Sequence, residues 1–364
     1  MKIVAELLEQ PVERAARVVA LALLDDAEKT RGKLGDAWDP KALHDFRIAV
    51  RRLRSWLRAF RPWLEESVSK KARRRLRKTA RLTGESRDAE VHLKWLHEQR
   101  RELSARQRIG FAWLVDRIEH RRTEADRVGV AGGVRAFDRA RRSLARALRE
   151  YRTRVDVDDA NAPETFRTAL AVLLRDHAAV LERRLGKVRD FDDDERVHAA
   201  RMAAKRLRYL LEPVAEHMER AGAASLVEDL SSLQDTFGDW HDVHVFASAI
   251  VKASEKAAAE SAHRLSEAVV EGEPPSDAVR AERDRDVTRG LLALAGRLHE
   301  RGQRAFADAE HRWIGEGDTL VARVEAVAAK LEERDVASDV GERSYPLRAL
   351  PADGEPRREL HVAP

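Results

Sequence analysis

Two stretches of this chain place histidine and arginine at spacings suited to holding a negatively charged ligand. The first, H-D-F-R-I-A-V-R-R-L-R from His44 to Arg54, recurs as H-A-A-R-M-A-A-K-R-L-R from His198 to Arg208, an offset of 154 residues (198 minus 44). On an α-helix turning about 100° per residue, with His44 at zero, Arg47, Arg51, Arg54 and Arg58 fall in one stripe at roughly 280–360°. Phe46, Val50, Leu53, Leu57 and Phe60 lie on the opposite side at roughly 160–240°, while Arg52 leaves the stripe near 80°. In the second copy His198, Arg201, Lys205 and Arg208 share a face, Leu207, Leu211 and Val214 face away, and Arg206 diverges as Arg52 does. A solvated helix face ordinarily mixes signs, because opposite charges one turn apart attract and like charges repel. The first stripe contains no acid, and a bound anion would relieve its repulsion. Arginine suits the task, since its planar fork grips two oxygens of one phosphate.

A second pair of residues keeps the same register. Gly84 maps onto Gly238, Arg87 onto His241 and Asp88 onto Asp242. Two motifs at one offset read as a tandem duplication whose halves meet around residues 156–165. The halves differ in charge. Arg74, Arg77, Lys78 and Arg81 repeat the basic stripe ahead of Gly84, whereas their counterparts are Glu228, Ser231, Ser232 and Asp235. The first half is therefore expected to bind an anion more tightly. Stripes at Arg135, Arg139, Arg142 and Arg146, and at Arg297, Arg301 and Arg304, read equally as solvated faces.

His44 and His198 open equivalent helices on the arginine side. They fit a phosphate donor that gains charge as pH falls through about 6.5, a helix-junction residue, or a metal ligand. No HExxH or EF-hand pattern is present, and His92/His97 and His241/His244 are too sparse to specify an ion, so no metal is expected. Walker A, G-x-S-x-G, Rossmann and kinase signatures are missing as well. No catalytic residue and no cofactor are expected.

The elements that must position these residues are helices. Hydrophobic residues make up 43% of the chain and charged residues 37%, aromatics only 5%, and Ala, Leu, Arg and Glu dominate, a composition for amphipathic helices. The fold class is all-α: two similar helical bundles flanking a basic groove or pore. Breaks are expected near Gly32–Pro40, Pro62, Gly84, Gly129–Gly133, Asp156–Pro163, Gly186–Asp194, Gly222, Gly238, Gly272–Pro275 and Gly315–Gly317. The first bundle half is set at 1–156, the second at 157–315, a terminal helix at 316–335 and an irregular tail at 336–364. The acidic run Asp190–Glu195 is expected to cap the helix that follows. Net charge is +5, yet the segment Lys41–Glu90 holds 16 Lys/Arg against 6 Asp/Glu, so the positive charge is concentrated there and points to an anionic partner. Cysteine is absent, which rules out disulfides and thiolate sites. Glu6 and Glu9 interrupt the apolar N-terminus, making a poor signal peptide. No segment is long and apolar enough to span a membrane, and a cytoplasmic location is expected.

These motifs carry a resemblance. H-D-F-R-I-A-V-R-R-L-R-S at 44–55, T-G-E-S-R-D-A-E-V at 83–91, H-A-A-R-M-A-A-K-R-L-R-Y-L-L-E at 198–212 and L-Q-D-T-F-G-D-W-H-D at 233–242 resemble the CHAD (conserved histidine α-helical domain) family over residues 5–315. The resemblance implies two bundles related by a pseudo-two-fold axis around a basic groove, and binding of inorganic polyphosphate. It implies association with polyphosphate granules and with polyphosphate-metabolising proteins. By matching position it places His44, Arg47, Arg51, Arg52, Arg54, His198, Arg201, Lys205, Arg206 and Arg208 on that surface, with Tyr209 adding a hydroxyl. Joined with the stripes above, the polyphosphate-binding set also includes Arg58, Arg74, Arg77, Lys78, Arg81, Arg87 and His241. The weakly charged second helix of the second half departs from the pattern. Two other readings stand beside it: a nucleic-acid binder, for which Trp56, Trp63 and Tyr209 would be the sparse stacking groups, and a metal-dependent phosphohydrolase using His44, His198, Asp88 and Asp242.

Overall fold

The computed structural model describes residues 5–34, 39–125, 129–150, 164–218, 221–314 and 317–333, and in them every regular element is a helix. They are α1 (Ala5–Leu8), α2 (Val12–Gly32), α3 (Pro40–Ala59), α4 (Arg61–Leu64), α5 (Lys70–Leu82), α6 (Glu85–Gln99), α7 (Gln107–Ala125), α8 (Ala131–Arg149), α9 (Phe166–Leu185), α10 (Asp194–Leu211), α11 (Ala223–Val270), α12 (Pro275–Asp284), α13 (Thr288–Arg312) and α14 (Gly317–Glu332). All belong to one compact unit ending at Glu332. The expected irregular tail at 336–364, and most of the expected junction between the halves, lie outside the described residues.

The motif helices form where the pattern places them. Asp39 accepts the backbone N–H of Ala42, and Pro40 occupies the first turn of α3, two start signals that satisfy or remove unpaired donors. The apolar face then buries completely: Phe46, Val50, Leu53, Leu57 and Phe60 are each no more than 2% exposed. Trp56 goes inward too, and its indole N–H donates to the Ala16 carbonyl at 3.0 Å, tying α3 to α2 without stranding a polar group. On α10 Leu207 and Leu211 are likewise buried, as is Val214 just beyond its end.

Helix positions repeat at the offset of the motifs: α2 starts at Val12 and α9 at Phe166, and α3 starts at Pro40 and α10 at Asp194. Packing repeats with them, since α3 lies on α2 and α10 on α9, while α8 covers α5 and α2 much as α14 covers α11 and α9. Two hydrophobic clusters fill the interior, and each draws on both halves. The larger joins Phe46, Trp56 and Phe137 to Phe166, Phe237 and Trp240. The smaller joins Leu96, Phe111 and Ile118 to Phe246, Ile250 and Leu294. Where α7 meets α13, Gly110 and Gly290 touch: a Cβ on Gly290 would stand 2.3 Å from the Gln107 carbonyl oxygen. Only glycine lets the two backbones approach so closely.

Two expectations need correction. Gly238 does not break a helix; α11 runs unbroken from Ala223 to Val270. A Cβ there would lie 3.0 Å from the Arg201 guanidinium, so the glycine makes room for a crossing side chain. In the acidic run, Asp193 occupies the N-cap position of α10 without capping it. Its carboxylate instead accepts the backbone N–H groups of Arg189 and Asp190, at 2.8 and 3.2 Å, and closes the preceding loop. Asp194 is drawn toward α11.

Candidate functional site

Cations from both halves meet in a cavity of about 800 Å³ among α3, α5, α6, α10 and α11. Helix α3 contributes Arg51, Arg54 and Arg58; α5 contributes Arg77 and Arg81; α10 contributes His198, Arg201, Lys205 and Arg206; α11 contributes His241. Asp242 is the one carboxylate among the described lining residues. Arg51, Arg54, Arg58, Arg77, Lys205 and Arg206 have no carboxylate within ion-pair distance among the described residues.

The electrostatic consequence is mutual repulsion in a partly dry space. Burial, with Arg58, Arg77 and Arg51 beside it, pushes the Arg54 guanidinium below the usual arginine range. Burial, with Arg58 and Arg184, does the same to Arg206. Lys205 is only 7% exposed; burial, then Arg51, Arg201 and Arg208, bring it down to about 7, against an opposing pull from Asp242. The arginines stay charged, so their shifts reflect first the cost of burying charge and then a mutual repulsion that an anion would relieve.

Several expected ligand residues do other work. Arg47 is buried: its Nε donates to the Thr83 carbonyl where α5 ends, and Nη1 lies 3.8 Å from Glu90. It is a strut across the break between α5 and α6, because the opposed helix end leaves a carbonyl that needs a donor. Arg52 pairs with Glu212 at 2.8 Å. Arg208 lies 3.4 Å from the same carboxylate and donates to Ser231 at 2.8 Å, so both are neutralised away from the cavity. Tyr209 is 5% exposed and sits under the Arg208 guanidinium. His44, Arg74 and Lys78 are exposed but do not line the cavity. The side chain of Arg87 lies outside the described residues, as does that of Asp88.

Three residues that the motifs did not assign to the site help to build it. His92 lines it, stacked on Phe246 with ring centroids 4.0 Å apart; burial and Arg121 lower it to about 4, so it is neutral at physiological pH. Asp242 is the counterpart of Asp88, which the repeat made visible. Asp194 stands behind the cavity wall and accepts from His241 Nδ1 at 2.6 Å, and His241 Nε2 lies 3.1 Å from His198 Nδ1. Among the described residues no group of three or more His, Asp or Glu is placed to hold a metal ion, so His44, His198 and Asp242 of the expected divalent-ion set do not come together as one; the side chain of its fourth member, Asp88, lies outside the described residues. Among the described residues no helix is long and apolar enough to cross a membrane. A larger cavity, about 1400 Å³ between α7 and α11, has mixed charge and mainly apolar walls including Trp113 and Leu114.

Comparison with known proteins agrees with this architecture. The CHAD domain family model matches residues 18–251. The crystal structure of the CHAD domain from the plant Ricinus communis superposes with a TM-score of 0.56 at 16% identity, covering 90% of this chain and 94% of that one. At such identity the likeness speaks for the fold. No curated protein sequence matches the chain. The family match takes in both histidine–arginine motifs and most of the helices around the cavity, and on that ground the chain belongs to the CHAD domain family.

Proposed function

We propose that the protein binds inorganic polyphosphate in the cavity between α3, α5, α10 and α11, without turning it over. One observation carries the reading: cations from two equivalent helices converge on a shared space with a single carboxylate among its described lining residues. A flexible chain bearing a charge on every phosphate satisfies such a set, gripped by arginine forks and released by salt. The general association of the CHAD family with polyphosphate supports the same ligand. On this reading the two halves descend from one duplicated unit, whose equivalent helices form the two walls of the site. The protein then belongs with polyphosphate deposits in the cytoplasm and with the proteins that make or degrade them.

A nucleic-acid ligand fits less well. Among the described lining residues there is no Phe, Tyr or Trp, so bases would find no stacking platform. Trp56 and Tyr209 are buried, and Trp63 donates to Glu164. The test is retention on immobilised polyphosphate through a salt gradient, with DNA and RNA as competitors. Retention at physiological salt with poor displacement by nucleic acid is the expected result; flow-through sinks the proposal. Phosphate release from polyphosphate with added Mg²⁺ or Mn²⁺ would replace binding with hydrolysis.

A further inference from the structure

Behind His198 stands a hydrogen-bonded file: Asp194 at the start of α10, His241 on α11, then His198 one turn further along α10. Its polarity follows from what each atom can do. An ionised carboxylate only accepts, so His241 Nδ1 carries the proton. Neutral His241 then offers Nε2 as an acceptor, and the proton between the rings belongs to His198 Nδ1. That leaves Nε2 of His198 bare, on an exposed ring that lines the cationic cavity. A bare ring nitrogen repels a phosphate oxygen and binds it only after gaining a proton.

We propose that Asp194 is a positioning residue of the anion site: through His241 it holds His198 in the tautomer whose Nε2 lacks a proton, so that polyanion binding draws a proton into the histidine pair. This rests on the polyphosphate reading above. The first half lacks the residues for such a device at the equivalent positions. The counterpart of Asp194 is Pro40, and that of His241 is Arg87, which needs no proton.

The charges facing His198 act in both directions. Burial, then His241, with Arg201 and Lys205 on its own helix, disfavours a cation on His198, and Asp194 favours one. Arg51 from α3, Arg77 and Arg81 from α5 and Asp242 from α11 line the same cavity, and His92 of α6 stays neutral. A bound polyanion outweighs the opposing cations, and proton uptake follows from linkage.

Lys205 will also gain a proton on binding, so the test starts from Lys205→Arg, whose charge is fixed. The whole chain is titrated calorimetrically with inorganic polyphosphate at pH 7.5, in two buffers of different ionisation enthalpy. Lys205→Arg should take up close to one proton per site, seen also as an affinity gain approaching ~10-fold per pH unit on acidification. Adding His198→Gln should remove that uptake. Adding Asp194→Asn should cut it sharply, because an amide can donate as well as accept and frees the pair to turn its proton toward the anion. Uptake unchanged in either double variant overturns the proposal. Ring ¹⁵N spectra of the unligated protein give a second reading. The proton of neutral His198 is expected on Nδ1 and should redistribute in Asp194→Asn; a proton on Nε2 in the parent protein overturns the assignment. A protein that fails to bind polyphosphate at all defeats the binding reading instead, and the tautomer measurement still decides the role of Asp194.

Discussion

Helices α3 and α10 carry the same motif and perform different tasks with it. On α3 the stripe residues Arg51, Arg54 and Arg58 all reach the cavity, and His44 lies outside it. On α10 the histidine lines the cavity, while the outer end of the stripe is neutralised: Glu212, the counterpart of Arg58, takes Arg208 and also Arg52 from the opposite helix. The arginine three residues after each histidine differs as well. Arg47 meets a helix end and is buried against it; Arg201 meets an unbroken helix at Gly238 and stays partly open. A repeated motif thus specifies the face a residue points from. What stands opposite specifies the job.

The largest expected effect tests the first wall against the second. Reversing Arg51 and Arg58 together to Glu should weaken polyphosphate binding about a thousandfold, two charge-assisted contacts at about 2 kcal/mol each. Reversing Arg52 and Arg208 together should cost binding far less, because Glu212 already holds both; equal losses in the salt-gradient assay would mean that bulk charge and not the cavity governs affinity. Next comes the strut. Arg47→Ala strips a buried carbonyl of its donor, removes a charge beside Glu90 and should lower unfolding free energy by about 3 kcal/mol. Arg201→Ala, whose bond to the Gln234 carbonyl is long at 3.4 Å, should cost about 1 kcal/mol. Denaturant titration compares them, and a reversed order would undo the distinction drawn between the copies.

A smaller effect concerns pH. Lys205 is held near 7, against an unfolded value of about 10.4. Between those two values the unfolded chain binds more protons than the folded one, so stability should climb with pH through that interval. Below pH 7 the folded lysine is charged and its contribution no longer changes. The melting temperature of the unligated protein should therefore rise from pH 7 to 9, and Lys205→Met should flatten the rise; an unchanged slope would remove Lys205 from the account. The smallest effect separates the two glycines. Gly238→Ala gains up to about 1 kcal/mol of helix propensity and displaces only the flexible end of Arg201. Gly84→Ala puts a methyl group 3.1 Å from the Ala80 carbonyl oxygen and should be destabilising in the same melting assay.

Much of this molecule was legible in its residues. Apolar spacing placed α3 and α10 and their buried faces, because helical geometry converts sequence distance directly into angle. The offset of 154 linked the two motif helices, and the acid-free stripe singled out Arg51, Arg54 and Arg58 together with Arg47, which the fold buries. The removal of Arg47, Arg52, Arg208 and Tyr209 from the site, and the entry of Asp194 and His92, had no comparable signal. Arg47, Arg52 and Asp194 depend on partners distant in sequence, Thr83, Glu212 and His241; Arg208 is the exception, since Glu212 lies one turn further along the chain. Gly238 was misread for the same reason, since a glycine that breaks a helix and one that admits a neighbour's guanidinium look alike along the chain. The sequence by itself determined the helices, their apolar sides and the doubling of a cationic face, all products of local periodicity. Only the tertiary structure decided which cations remain without a carboxylate and which histidine has a proton partner, because pairing is a matter of distance in space and no local pattern encodes it.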